Sequence, residues 1–347
     1  MAWLLGDGFD FYANASDMVA GGLSWTVSSV NPGGTSRFGV GQSIVPSNGS
    51  TAKTTSFTNS TTIYANMAAK PNAVIVPGSL SPMAGFQLLD GANNQLAIAI
   101  LFNGTVVVTA GAINGAALAT SPQIFLNNTV WHHLQFKIVI DNTVGSVEMR
   151  VDGNPTNNWT ATGLNTRNGS TNNFVNIFNF TSLTGANGVF FDDFYLFNDQ
   201  GVSPNTWQGD VRSLQLMPNS DQTITWTPKS AGTNFSQVNE LIANGDTSYV
   251  FTNTPGNQDY YGCQTLTVVP FNIIAVQTKM YSRMDDTGPH SICFNIKSSS
   301  TVLSSPTTAM ASNYTWIQMV NTVDPNTSIA WTIPGVNALQ IGPNDVL

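Results

Sequence analysis

WHHLQFKIVIDNTVGSVEMRVDG, residues 131–153, decides the fold. From Trp131 the side chains alternate: Trp131, His133, Gln135, Lys137 and Val139 share one face of a strand, and His132, Leu134, Phe136, Ile138 and Ile140 share the other. The second face is the apolar one and is expected to be the buried one, with His133 left among polar neighbours. Asp141-Asn-Thr-Val-Gly145 supplies turn chemistry, and Ser146–Val151 returns as a partner strand ending in the tight-turn signal Asp152-Gly153. The stretch predicts a β-hairpin. It also removes a metal site, because adjacent residues of a strand point to opposite faces, so His132 and His133 cannot both ligate one ion.

Working outward, the same grammar recurs. Short or alternating apolar runs bounded by Gly, Asn and Pro include QLAIAILF at 95, TVVVTA at 105 and GVFFDDFYLF at 188. The later half adds TITWTP at 223, SICFNIK at 291 and YTWIQMV at 314. No window of a dozen residues holds a clean helical stripe, and the best single turns are Trp207–Gly209 and Val238–Ile242. Asp285–Gly288 is expected to close a hairpin between MYSRM and SICFNI. The reading is therefore all-β, and 347 residues favour two domains over one. In NDQGVSPNTWQGD, residues 198–210, an apolar strand gives way to turn residues, which places the boundary near Pro204: one sandwich over 1–203 and a second antiparallel β-sandwich over 204–347.

Composition narrows the function. Charged residues are 9% of the chain, against about a quarter in an average soluble domain, so the surface is neutral-polar. Net charge is −8 and the eleven Lys and Arg are scattered along the sequence, which argues against nucleic acid. The first residues, MAWLLGDGFDFYANASD, lack a basic n-region and an apolar h-region, and no apolar run reaches a membrane-spanning length, so neither export nor membrane insertion is expected. Cys263 and Cys293 read as buried thiols, with a single disulfide as the open alternative.

Catalytic constellations are sparse. Only Glu148 and Glu240 are glutamates, so a glycosidase's carboxylate pair would have to come from aspartates. Three histidines, with no G-x-S-x-G, P-loop or dinucleotide fingerprint, support no nucleophilic or nucleotide chemistry. The expectation is a protein that is not an enzyme. Aromatic rings on loops could instead offer stacking surfaces to sugars. Trp159 in PTNNWTATG, with Tyr260 and Tyr261 in GNQDYYG, are the candidates for such glycan or partner contacts.

The hairpin W-H-H-L…V-D-G resembles that of laminin-G-like, concanavalin A-type jelly rolls. GDGFDFYA at 6, SRFGVGQSI at 36 and the closing GVFFDDFYLFNDQG at 188 resemble the opening and closing strands of jelly rolls in tailed-bacteriophage structural proteins. GDVRSLQLMPNSD at 209 and DPNTSIAWTIPGVNALQIG at 324 are similar to the module that follows in such proteins. The resemblance implies an N-terminal concanavalin A-like jelly roll over 1–203. It also implies that one of Asp192 and Asp193 holds a loop or a calcium ion at the sandwich edge, calcium being the only cofactor in view.

The function it implies is that of a non-enzymatic protein on the exterior of a tailed-phage virion, assembled in the bacterial host cytoplasm. A tail-associated adhesin or accessory protein is preferred over a capsid decoration protein. Its partners would be other phage structural proteins, further copies of itself in a homo-oligomer, and host-surface carbohydrate. A polysaccharide-degrading enzyme and a soluble bacterial lectin are the competing readings.

Overall fold

The computed structural model describes residues 3–20, 25–183, 185–186, 188–201, 204–270 and 272–346. The chain divides into two compact units, one within residues 1–213 and one over 214–347. Every strand pairing among the described residues is antiparallel.

Two sheets build the first unit. One runs in spatial order β13 (Asn154–Leu164), β12 (Gly145–Val151), β11 (His132–Val139), β6 (Thr62–Pro71), β15 (Val189–Asn198), β4 (Gln42–Val45) and β3 (Asn31–Thr35), with β1 (Trp3–Asp7) also paired to β15. The other runs β10 (Ala117–Gln123), β9 (Thr105–Ala110), β8 (Asn93–Leu101), β7 (Pro82–Asp90), β14 (Ile177–Ser182), β5 (Thr51–Thr54) and β2 (Trp25–Ser28). They pack face to face through phenylalanines: Phe86 on Phe136 at 5.4 Å, Phe178 on Phe194 at 4.6 Å and Phe180 on Phe191 at 4.7 Å between ring centroids. This is a two-sheet antiparallel jelly-roll sandwich, with the apolar face of the opening hairpin turned inward as the alternation requires.

The hairpin forms, with Leu134 opposite Val151 and Ile138 opposite Val147. Asp152 and Gly153 both take positive φ, 54° and 64°, the two-residue turn that suits the twist of the flanking strands. The carboxylate of Asp152 reaches back over the strand start, accepting from the His133 amide at 2.7 Å and lying 2.7 Å from His132 Nδ1. His132 therefore fixes a turn. The stretch Gly8–Ala13, read above as part of an opening strand, instead follows β1 and plugs the core: Phe9 and Tyr12 are fully buried, and Asp7 accepts from Trp25 Nε1 at 2.8 Å.

The second unit has a six-stranded sheet in the order Pro218–Thr223, Tyr260–Cys263, Gln340–Asp345, Ser291–Ser298 and Thr301–Ser304, with Thr308–Ala309 also on Ser291–Ser298. Ile292, Phe294 and Ile296 from that sheet meet Ile317, Met280 and Met319 from the two-stranded ribbon Val276–Ser282 with Thr315–Asn321. The hairpin expected around Asp285–Gly288 does not form, because the strands on its two sides belong to these different layers. Neither expected helical turn forms: Trp207–Gly209 is irregular, Val238–Ile242 is loop, and the five-residue helices are Ala15–Val19 and Ile333–Asn337. Cys263 and Cys293 are free thiols, and burial pushes the Cys263 thiol up to about 12. No helix among the described residues is long and apolar enough to cross a membrane.

Candidate functional site: the outer face of the larger sheet

The face of the larger sheet that turns away from the core carries, row by row, Trp131, Lys70 and Phe190; His133, Ala68 and Asp192; Gln135, Asn66 and Tyr195; and Lys137, Tyr64 and Phe197. The alternation along β11 led to the expectation that this face meets solvent. Its middle does not: His133 is fully buried and Gln135 is 1% exposed. Residues 204–213, assigned by sequence to the second module, lie over it as a strap. Trp207 meets Tyr64 edge-on at 5.6 Å, and Val211 packs with Tyr64, Tyr195 and Phe197. The Tyr195 hydroxyl donates to Gly209 O at 3.3 Å, and the Arg150 guanidinium sits 4.1 Å from the Trp207 ring.

A charged clasp fastens the strap. Arg37, in the loop after β3, donates through both terminal nitrogens to Asp210, each at 2.7 Å, and its Nη1 lies 3.4 Å from Asp193. The Arg37 amide donates to Asp192 at 2.7 Å, and the Ser213 amide to Asp193 at 2.6 Å. Adjacent strand residues were expected to diverge, yet both carboxylates meet Arg37. The reason is a bulge: Asp192 pairs with Ala68 and Tyr195 with Asn66, so β15 carries one extra residue, and Asp193 takes φ 49°. Of the pair, Asp193 meets the guanidinium and Asp192 the Arg37 backbone amide. No group of three or more His, Cys, Asp or Glu among the described residues converges as metal ligands.

Burial, then the charge of the neighbouring carboxylate, raises Asp192 to about 7, and burial raises Asp193 to about 6. His133 stacks on Tyr195 at 6.2 Å with neither ring nitrogen hydrogen-bonded, and burial lowers it to about 4, so it is neutral at pH 7. The signs follow. Carboxyls raised above their unfolded value near 4 contribute stability that is full below about pH 4 and is lost as pH rises through 6 to 7. His133 acts oppositely, its contribution being lost as pH falls from about 6.5 to 4, so the two offset each other there. The clean window lies above about pH 6.5, where unfolding free energy in urea should fall up to about pH 8. Asp192→Asn should abolish that fall; a variant with the wild-type pH slope would contradict the assignment.

Beyond the strap, the end of this face is open and aromatic. Lys70 Nζ lies 5.2 Å from the Trp131 ring and 4.8 Å from the Phe190 ring, and those rings are 6.3 Å apart. Two residues along β15 from Phe190 is Asp192, and the chain it holds presents Phe38, 49% exposed, with Arg37 at 4.9 Å and Arg212 at 4.7 Å from its ring. Trp131, Phe190, Lys70 and Arg212 are half-buried. Two ring–cation groups, Trp131–Lys70–Phe190 and Arg37–Phe38–Arg212, thus stand at the two ends of the Phe190–Asp192 step on a protein whose net charge is −8.

The rings nominated from sequence lie elsewhere. Trp159 is half-buried on edge strand β13, opposite Met149, rather than on a loop. Tyr260 and Tyr261 belong to a strand paired on both sides and are 6% and 2% exposed, so neither forms a surface platform. The Tyr261 hydroxyl donates to buried Asp259, and burial followed by that bond raises its pKa far above 10. Asn295 donates to the Tyr260 hydroxyl at 3.1 Å. The Asp that precedes the tyrosines was the available signal, since a buried Asp–Tyr bond needs the ring inside.

No family description matches this chain, and no curated protein does. Among solved structures it is similar to the carbohydrate recognition domain of Emp46p in metal-free form, at 11% identity and TM-score 0.37, over 57% of this chain and 98% of that one. The exoplasmic/lumenal domain of VIP36, in its Ca2+/Man3GlcNAc-bound form, is similar at 10% identity and TM-score 0.36, over 58% and 92%. Trypanosoma rangeli sialidase matches at 16% identity and TM-score 0.33, over 56% of this chain and 30% of that one.

Proposed function

We propose that this protein is a non-catalytic component of the exterior of a tailed-phage particle, tail-associated, whose first unit contacts host-surface carbohydrate through the open end of the larger sheet's outer face. The observation that carries the contact is the gathering of Trp131, Phe190 and Phe38, partly open rings held by cations, on a rigid sheet. Ring faces and edges bury the apolar C–H surface of a sugar, while the flanking polar groups serve its hydroxyls. The sequence resemblance supplies the particle, and repeated copies there would turn a weak contact into avidity.

The test is incubation of the purified protein with host capsule and exopolysaccharide. The expected result is binding without new reducing ends or unsaturated products, and about tenfold weaker binding by Trp131→Ala while the first unit still shows its cooperative unfolding transition. Turnover would replace this reading with the polysaccharide-degrading one. Immunogold microscopy of intact particles should put label on the tail; label on the head would make it a capsid decoration protein.

A further inference from the structure

We infer that the carbohydrate contacted at this site is acidic: a polymer bearing sugar carboxylates, recognised by Lys70 and Arg212 at either side of the Phe190–Asp192 step. The inference rests on the carbohydrate reading of the same face and adds its chemistry.

The charges of the site sort into two sets. Arg37 is spent inside the fold: both terminal nitrogens are on Asp210, one is also near Asp193, and it is mostly buried. Asp192, Asp193 and Asp210 are in turn engaged by Arg37 and by backbone amides. Lys70 and Arg212 differ. Each rests against aromatic rings, and neither makes a salt bridge with a described residue.

A cation held on a ring face is fixed in position without being neutralised, because the ring offers a quadrupole and no negative charge. It therefore keeps its capacity for a carboxylate, with part of its ordering cost already met by the fold. The rest of the chain makes the arrangement selective. At a net charge of −8 an acidic polymer is repelled by most of the surface, so productive contact is confined to the place where cations outnumber available carboxylates.

Spacing agrees with a polymer. Phe190 and Asp192 are two residues apart on one strand face, about 7 Å. Lys70 lies at the Phe190 end, and the Phe38–Arg212 pair at the Asp192 end. Two cations at opposite ends of that step, each held on a ring, address carboxylates on different sugars of a chain rather than one small anion.

The experiment compares polygalacturonate with the same polymer after chemical reduction of its carboxyl groups, using the full chain and titration calorimetry at two ionic strengths. The expected result is tighter binding of the carboxylated polymer, weakened by salt, and a loss of about threefold each for Lys70→Met and Arg212→Gln. Both substitutions keep an apolar stem against the rings, and the loss should be smaller for the reduced polymer, which retains only the hydroxyl contacts. Equal binding of the two polymers, unaffected by these variants, would overturn the acidic assignment and leave carbohydrate contact standing. Equal binding of inorganic polyphosphate would overturn it in favour of unspecific charge attraction. Binding of neither sugar polymer would overturn the acidic assignment, and if the host polysaccharides also fail to bind, the carbohydrate reading falls with it.

Discussion

Arg37→Met is expected to destabilise the first unit by about 3–5 kcal/mol at pH 8, because it removes the one side-chain cation that Asp193 and Asp210 share while leaving their carboxylates in place. Asp193 is 4% exposed at its side chain and cannot turn to water. The Asp210 end also tethers residues 204–213, so losing it should loosen the strap over Tyr64, Tyr195 and Phe197. The loss should be smaller at pH 5, since carboxyls whose pKa values are raised to about 7 and 6 can discharge themselves by taking protons. Urea unfolding of the variant and wild type at both pH values reads this directly. A pH-independent loss would mean that Arg37 acts through packing on Phe38 rather than through its charge.

Phe180→Ala is the second large effect, with an expected cost of about 3–5 kcal/mol. The ring lies 4.7 Å from Phe191, 4.8 Å from Phe178, 5.1 Å from Phe194 and 6.0 Å from Trp25, and is fully buried between the two sheets. Phe178, Phe191 and Phe194 lie on strands paired on both sides, so the site collapses little and most of the cavity remains. Thermal unfolding should show a lowered first-unit transition. A loss under about 1 kcal/mol would mean that the sheets close over the gap.

The hairpin shows how far strand alternation reads. Leu134, Phe136 and Ile138 turn inward because apolar side chains at every second position can all leave water only on one face. Asp152-Gly153 forms its turn because both positions need positive φ, which those residue types tolerate. Alternation says which face is apolar; it does not say that the other face stays wet. Gln135 and His133 look solvent-facing by that rule, and they are buried because a segment about 70 residues later covers them.

The candidate site was illegible for a related reason. Lys70, Trp131 and Phe190 are far apart in the sequence and meet only because β6 lies between β11 and β15. Phe38 and Arg212 meet because Asp192 and Asp193 fasten their two loops. Conversely, Tyr260 and Tyr261 stood out because Gly and Asn flank them, and those flanks end a buried strand instead of forming an exposed loop.

By itself, then, the sequence determined the all-β class, the inward face of β11, the 131–151 hairpin and the Asp152-Gly153 turn after it, since these follow from periodicity and from the φ each residue tolerates. The tertiary structure alone decided that residues 204–213 belong over the first unit, that a bulge brings two adjacent aspartates to one arginine, and which rings and cations share a surface. Those depend on strand order and on contacts between residues far apart in the chain, and a one-dimensional pattern carries no record of which strand lies beside which.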